Sequence, residues 1–286
     1  MDVGLKGFLK FIVERHAIYT RREAGQPWPW TADPILQQYR FCNVYRNLDK
    51  ESKLIHSNWL QHPASGSDVW FAMAVARLVN WWPTLAEVGY PVPWRPKAFV
   101  KALDKRKVQG EKVFTGAYMV RADPHVSGSK GAYIAESVLT PMWQKRAELR
   151  PRQGDTLNSF HERLMGNRDM GSFMAAQIVA DVKYAAGPLG VATDWTTWAA
   201  SGPGSRRGLN RLHGNAVDKP WKETDWRLAF AQLHKLTTLL IAAHSMPFIT
   251  GQDLQNCLCE FDKYERVRLK EGTPRSKYIN PTGDNK

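Results

Sequence analysis

TLNSFHERLMGNRDMGSFMAAQIVADVKYAAG, residues 156–187, is the stretch that decides the architecture. Its apolar spacing predicts two amphipathic helices, 156–165 and 172–185, joined by a short turn with Gly166 and Gly171 at its ends. Ala175 and Ala176 open the second helix with small side chains, which lets a neighbouring helix approach closely. Gln177 and Asp181 stand four residues apart on that helix and share a face with Phe173 and Tyr184. Polar side chains on a face of buried spacing need partners. Either they form a buried hydrogen-bond network, or they face a bound group. In the second case Gln177 reads a polar edge, and Asp181 orients an arginine or accepts a proton.

Outward from the hairpin the chain reads as helix almost throughout. Leu5, Phe8, Leu9, Ile12, Val13 and Ile18 make a helical stripe over 3–23. GQPWPWTADP (25–34) stops that helix, and Thr31 or Asp33 caps a new one starting near Pro34, because proline suits a first helical turn. Further helices are predicted at 67–81, with Pro83 as its stop, and at 97–107, 131–148, 224–245 and 250–270. The least helical part is 109–130, with an extended segment at KVFTGAYMVRA and a turn at PHVSGSKG. The expected layout is one helical domain over residues 1–270 and a polar, flexible tail over 271–286.

Three further segments mix charge with core-type residues. RFCNVYRNLDKES (40–52) sets Arg40, Asn43, Arg46, Asp49 and Lys50 among Phe41, Val44, Tyr45 and Leu48. Read as a helix, it suits the wall of a pocket for something flat and something anionic. SGPGSRRGL (201–209) has three glycines and two arginines at a helix start, where backbone amides can meet phosphate oxygens; a plain turn with solvated arginines is the other reading. LCEFDKYER (258–266) places Glu260, Lys263 and Tyr264 at helical spacing, as a surface salt bridge or as a pocket edge.

Lysine and arginine total 40 against 27 acids, a net charge of +13 that points to a polyanionic partner, nucleic acid first. Cys42, Cys257 and Cys259 lack CxxC spacing, and the eight histidines are scattered. Neither a disulfide framework nor a resident metal is expected. No apolar run approaches the roughly 20 residues that cross a bilayer, so no membrane partner is expected. There is no GxxxxGK[ST] loop, which argues against kinase chemistry on this chain.

PWTADPILQQYRFCNVYRNLD, GSFMAAQIVADVKY, GPGSRRGL and LCEFDKYER, in that order, resemble the α-glutamyl/putrescinyl thymine pyrophosphorylases, also described as phage amino acid:DNA transferases. That family is related to the helical domain linked with 5-hydroxymethyluracil DNA kinases. The resemblance spans roughly residues 8 to 268. It implies a mainly α, helix-hairpin-helix DNA glycosylase-like fold, in which hairpin amides grip a DNA phosphate. Asp194, in VATD, follows Gly171 at an interval like that of the catalytic aspartate in such glycosylases; its other reading is an N-cap for a helix holding Trp195 and Trp198. The lysine of bifunctional glycosylases has no counterpart at Ser172, Phe173 or Met174.

The implied reaction replaces the pyrophosphate of 5-pyrophosphoryloxymethyl-deoxyuridine in double-stranded DNA with an amine, either an amino acid such as glycine or a polyamine. The setting is the cytoplasm of a phage-infected bacterium. The base must leave the stack. Asp194, then Asp181, are the candidate proton acceptors and charge stabilisers. Asn43, Gln177, Tyr39 and Glu260 are the candidate base or substrate contacts. Arg46, Arg206, Arg207 and Lys263 are the candidate pyrophosphate ligands, with Asp49 holding Arg46. Gly171, Ser172, Gly204 and Ser205 are the candidate DNA contacts. No cofactor is implied beyond a divalent cation that pyrophosphate could bring. The alternatives are a monofunctional glycosylase acting on a modified pyrimidine and a non-catalytic DNA-binding module.

Overall fold

Apolar spacing becomes helix nearly everywhere in the computed structural model, which describes residues 3–116 and 128–278. In chain order the helices are α1 (Val3–Glu23), α2 (Pro34–Gln38), α3 (Lys50–Ile55, continued by a π turn His56–Leu60), α4 (Val69–Val79), α5 (Trp82–Val88) and α6 (Pro96–Val108). They continue as α7 (Lys130–Tyr133, continued by a π turn Ile134–Leu139), α8 (Thr140–Gln144), α9 (Arg146–Leu149), α10 (Leu157–Met165), α11 (Ser172–Val182), α12 (Pro203–Leu212), α13 (Glu223–Ala242) and α14 (Gly251–Arg268). Among the described residues the only β pairing is one isolated antiparallel bridge, Tyr39 to Lys277.

Local chemistry sets several starts. Asp33 caps α2, its Oδ1 accepting from the amides of Ile35 and Leu36, with Pro34 in the first turn. At α10, Thr156 Oγ1 accepts from Ser159 N while Ser159 Oγ accepts from Thr156 N, a reciprocal box. Pro83 does not stop a helix as expected. Asn80, left-handed at φ 48°, ends α4, and Pro83 lies in the first turn of α5. Of the irregular stretch expected at 109–130, residues 117–127 lie outside the described residues, as do 279–286 of the tail. The rest of the tail is pinned at 276–278, where Arg40 N donates to Ser276 O and Tyr278 N to Gln38 O, both at 3.0 Å.

The chain divides into two compact units, where one domain over 1–270 was expected. One comprises residues 50–200, the other the two flanking segments, 1–49 and 201–286. The contiguous unit is built around α4, VWFAMAVARLV, every residue of which is buried. A helix that is apolar all round belongs inside, and the α10–α11 hairpin packs there with Ile178, Val179 and Phe160 fully buried. The hairpin expected from the sequence is present, with its second helix ending three residues early.

The discontinuous unit is organised by glycine. A Cβ on Gly208 would lie 2.2 Å from the carbonyl oxygen of Leu258, and one on Gly204 would lie 3.0 Å from Cys259 Sγ. Gly4 of α1 is similarly close to Leu212 O, at 2.7 Å. Thus α12 approaches α14 backbone to backbone. A carbonyl cannot swing aside as a flexible side chain does. Gly208→Ala is therefore expected to cost about 1–3 kcal/mol or more by overpacking, seen as a fall in melting temperature. A variant melting with the wild type would show that the two helices separate freely.

Candidate functional site

In the contiguous unit, the polar face of α11 is built around a buried carboxylate. Asp181, 1% exposed, receives two parallel bonds from Arg77 of α4: Nε to Oδ2 at 2.6 Å and Nη2 to Oδ1 at 2.5 Å. Arg77 is itself 2% exposed and also donates to Ser52 Oγ (2.9 Å) and Asn80 Oδ1 (3.1 Å). His56, at the start of the π turn, sets Nε2 2.9 Å from Asp181 Oδ1. Burial by itself pushes the Asp181 carboxyl up, but the charge and hydrogen bonds of Arg77, with those of His56, outweigh it and hold the group well below the usual carboxylate range. A carboxylate so held is a weak proton acceptor. The expectation that Asp181 serves as the base is corrected: it orients an arginine and a histidine.

Gln177 lies one turn before Asp181 and is buried. At the two ends of the same face Phe173 is 58% exposed and Tyr184 is 37% exposed. The Tyr184 ring is 5.7 Å from that of His56 and 5.4 Å, edge-on, from Trp195. Lys183 Nζ stands 4.5 Å over Trp195. Gly171 opens the helix as its N-cap, and a Cβ there would meet nothing within 4 Å. Backbone can therefore be approached at Gly171 and Ser172.

Asp194 caps a helix, but not the one expected. Residues 193–197 form turns, and the carboxylate reaches across to α10, accepting from Leu157 N (2.7 Å) and Asn158 N (3.0 Å). With Thr156 on Ser159 N, the first three amides of α10 are all satisfied by side chains. Both oxygens of Asp194 are thereby fixed in direction, and the side chain keeps partial exposure.

In the discontinuous unit the segment 40–49 is not a helix. It runs irregularly to a short 3-10 turn, Arg46–Leu48. Asn43 is tied into this loop: its N–H donates to Asp49 Oδ1 (2.9 Å), Nδ2 to Leu48 O (2.9 Å), and Oδ1 accepts from Arg15 Nη2 (2.7 Å). Asn43 thereby braces this loop. Arg15 also donates from Nε and Nη2 to Phe41 O. Arg46 is held at its backbone by Asp253 Oδ1. Burial pushes Asp49 up, against the pull of the Asn43 amide and the Arg46 and Arg15 charges.

Glu260, 3% exposed, joins Lys263 Nζ (2.5 Å) to the amide of Cys42 (3.2 Å). Burial pushes Lys263 down, but the Glu260 carboxylate more than restores it. Tyr39 is buried at the bridge to Lys277. Arg206 is bound to Trp221 O, Ser201 Oγ and Glu223. Arg207 donates from Nε to the buried Asp262 at 2.9 Å and keeps 39% of its side chain exposed. Ser205 is fully buried, its Oγ accepting from Gly202 N. The helix start expected at 201–209 is present as the opening of α12, with Gly204 half-buried against Cys259 of α14 and Ser205 buried.

The residues expected to share one pocket thus divide. Tyr39, Asn43, Arg46, Arg206, Arg207, Glu260 and Lys263 belong to the discontinuous unit, and Gln177, Asp181, Asp194, Gly171 and Ser172 to the contiguous one. Sequence reasoning missed Arg77, His56 and Arg15. Two carried a signal: Arg77 is the one charge in an eleven-residue apolar helix, and Arg15 falls on the Phe8–Phe11–Ile18 stripe of α1.

No solved structure matches the chain. It is 27% identical over 222 residues to a protein of Bacillus phage SP10 named 5-hmdU DNA kinase, covering 69% of this chain and 34% of that protein. The chain therefore spans about a third of that relative's length. The family described as "5-hmdU DNA kinase, helical domain" matches residues 3–273. A match running from the first residue of α1 to beyond the last of α14 takes in every helix described, and the chain belongs to the 5-hmdU DNA kinase helical-domain family.

Proposed function

We propose that this chain acts in the hypermodification of thymidine in phage DNA, as the transferase that replaces the pyrophosphate of 5-pyrophosphoryloxymethyl-deoxyuridine with an amine. The observation that carries this reading is the match of residues 3–273 to the helical domain of 5-hmdU DNA kinases, to which the amine-transferring thymine pyrophosphorylases are related. The relative's name supports a base derived from 5-hydroxymethyluracil. The net charge of +13 suits duplex DNA as the partner, and the setting is the cytoplasm of an infected bacterium.

The residues are given these roles. The exposed start of α11 at Gly171 and Ser172 meets a phosphate, as a helix N-terminus can. Phe173 and Tyr184, exposed on the same face, are the surfaces on which bases stack when one is flipped. Gln177 lies buried on the same face. Asp194, aimed by two amides, opposes the positive charge that develops on the exocyclic carbon as pyrophosphate departs.

The test is incubation of the protein with duplex DNA carrying the pyrophosphorylated base and a panel of amines, glycine and putrescine included, followed by nucleoside mass analysis. Aminomethylated deoxyuridine together with released pyrophosphate is the expected result. The hairpin and Asp194 equally suit a glycosylase, and abasic sites with free base would establish that reading instead. Tight DNA binding with no product under any amine would make the chain a binding module.

A further inference from the structure

An amine in water is protonated, and only its free form attacks carbon. Something must take that proton, and Asp181, clamped by Arg77, is poorly suited. The neighbouring imidazole is well suited. Arg77 keeps both oxygens of Asp181 as acceptors, so the nitrogen that meets Oδ1, His56 Nε2, must carry the proton. That fixes the tautomer and leaves the lone pair on Nδ1. Among the described residues Asp181 is the one hydrogen-bond partner of the His56 ring, at Nε2. The side chain is 15% exposed, beside the Tyr184 ring. An imidazole oriented by a buried carboxylate, with its basic nitrogen outward, is the arrangement that proton transfer from a nucleophile uses. A π turn begins at His56, a backbone irregularity frequent at functional positions.

We infer that His56 is the proton acceptor for the incoming amine, and that Asp181 and Arg77 are the positioning residues that aim it. The inference rests on the transferase reading. His56 Nδ1 takes one proton from the ammonium. The freed nitrogen lone pair forms a bond to the exocyclic methylene carbon. The carbon–oxygen bond breaks, and its electron pair leaves with pyrophosphate. The imidazolium then returns its proton to solvent. The charged and titratable groups around the ring are Asp181 and Tyr184 from the end of α11, with Lys183 lying 5.1 Å over the Tyr184 ring, and Arg77 from α4. The carboxylate of α5, Glu87, is tied to Lys105.

The experiment compares wild type with His56→Gln, whose amide N–H can still donate to Asp181 but which has no basic nitrogen. Both are assayed on pyrophosphorylated DNA with glycine and with methoxyamine, which is unprotonated at neutral pH. The expected result is a loss of about 100-fold or more in kcat with glycine, a much smaller loss with methoxyamine, and unchanged DNA affinity. Equal losses with both amines would make His56 structural, and no loss would remove it from the reaction; either result overturns the inference. A wild type that transfers neither amine overturns the transferase reading instead. Asp181→Asn, compared by circular dichroism at matched folding, should show the glycine-selective loss in weaker form, and an unselective loss would deny it a positioning role.

Discussion

Arg77→Met lowers the melting temperature by roughly 6–20 °C, because stranding one partner of a buried ion pair costs about 3–5 kcal/mol. Arg77 and Asp181 side chains are each 2% exposed, so no water replaces the lost guanidinium. The sign with pH is specific. In the wild type the Asp181 carboxyl is held below its unfolded value. Its stabilisation is therefore complete above about pH 4 and lost as acid protonates the folded state. Without Arg77, burial dominates and the carboxyl is pushed up, so the variant loses stability as pH rises through that raised value. The gap between the two proteins is widest near neutrality and narrows on acidification. Thermal unfolding at about pH 7 and about pH 4 measures it. A constant gap would mean that the loss is one of packing and not of charge.

Asp194→Asn is expected to keep DNA binding and lose amine transfer by roughly 10²–10³-fold in kcat. The asparagine oxygen still accepts from one amide of α10, but its NH2 faces the other, a mismatch worth about 1–2 kcal/mol. Stability therefore falls too, and needs a control. Thr156→Ala removes another cap of the same helix, the bond to Ser159 N, and is expected to cost about 1 kcal/mol with transfer intact. If Asp194→Asn transfers amine as fast as Thr156→Ala does, Asp194 is a cap alone.

The sequence revealed helices wherever one element decided its own fate. Apolar spacing on α1 and α14, the Asp33–Pro34 start and the Gly-bounded hairpin are local signals, and each is present. Residues 40–49 show the limit. Phe41, Val44, Tyr45 and Leu48 have helical spacing, yet long-range bonds from Arg15, Asp253 and Glu260 take the backbone elsewhere. Pro83 can begin a helix as well as end one, and only the neighbouring Asn80 turn decides. The glycines of 201–209 are ambiguous for the same reason. Glycine admits a phosphate or another helix, and here it admits α14. At the candidate site the face carrying Gln177 and Asp181 was legible, because both lie on one helix. Their meeting with Arg77 and His56 was not, since those lie on other helices and periodicity is silent on which faces meet.

The division of the discontinuous unit between the chain's two flanks has a consequence for its birth. Gly4 of α1 lies against Leu212, Tyr45 meets Pro247 and Cys42 meets Glu260, so α1 and the 40–49 loop lack their partners from the other flank until translation reaches α12 to α14. The contiguous unit, 50–200, emerges in between, which takes of the order of ten seconds at bacterial rates of synthesis. For that interval the apolar stripe of α1 is uncovered on the nascent chain, a ready target for the host's holding chaperones, while the hairpin and its buried ion pair can already be complete.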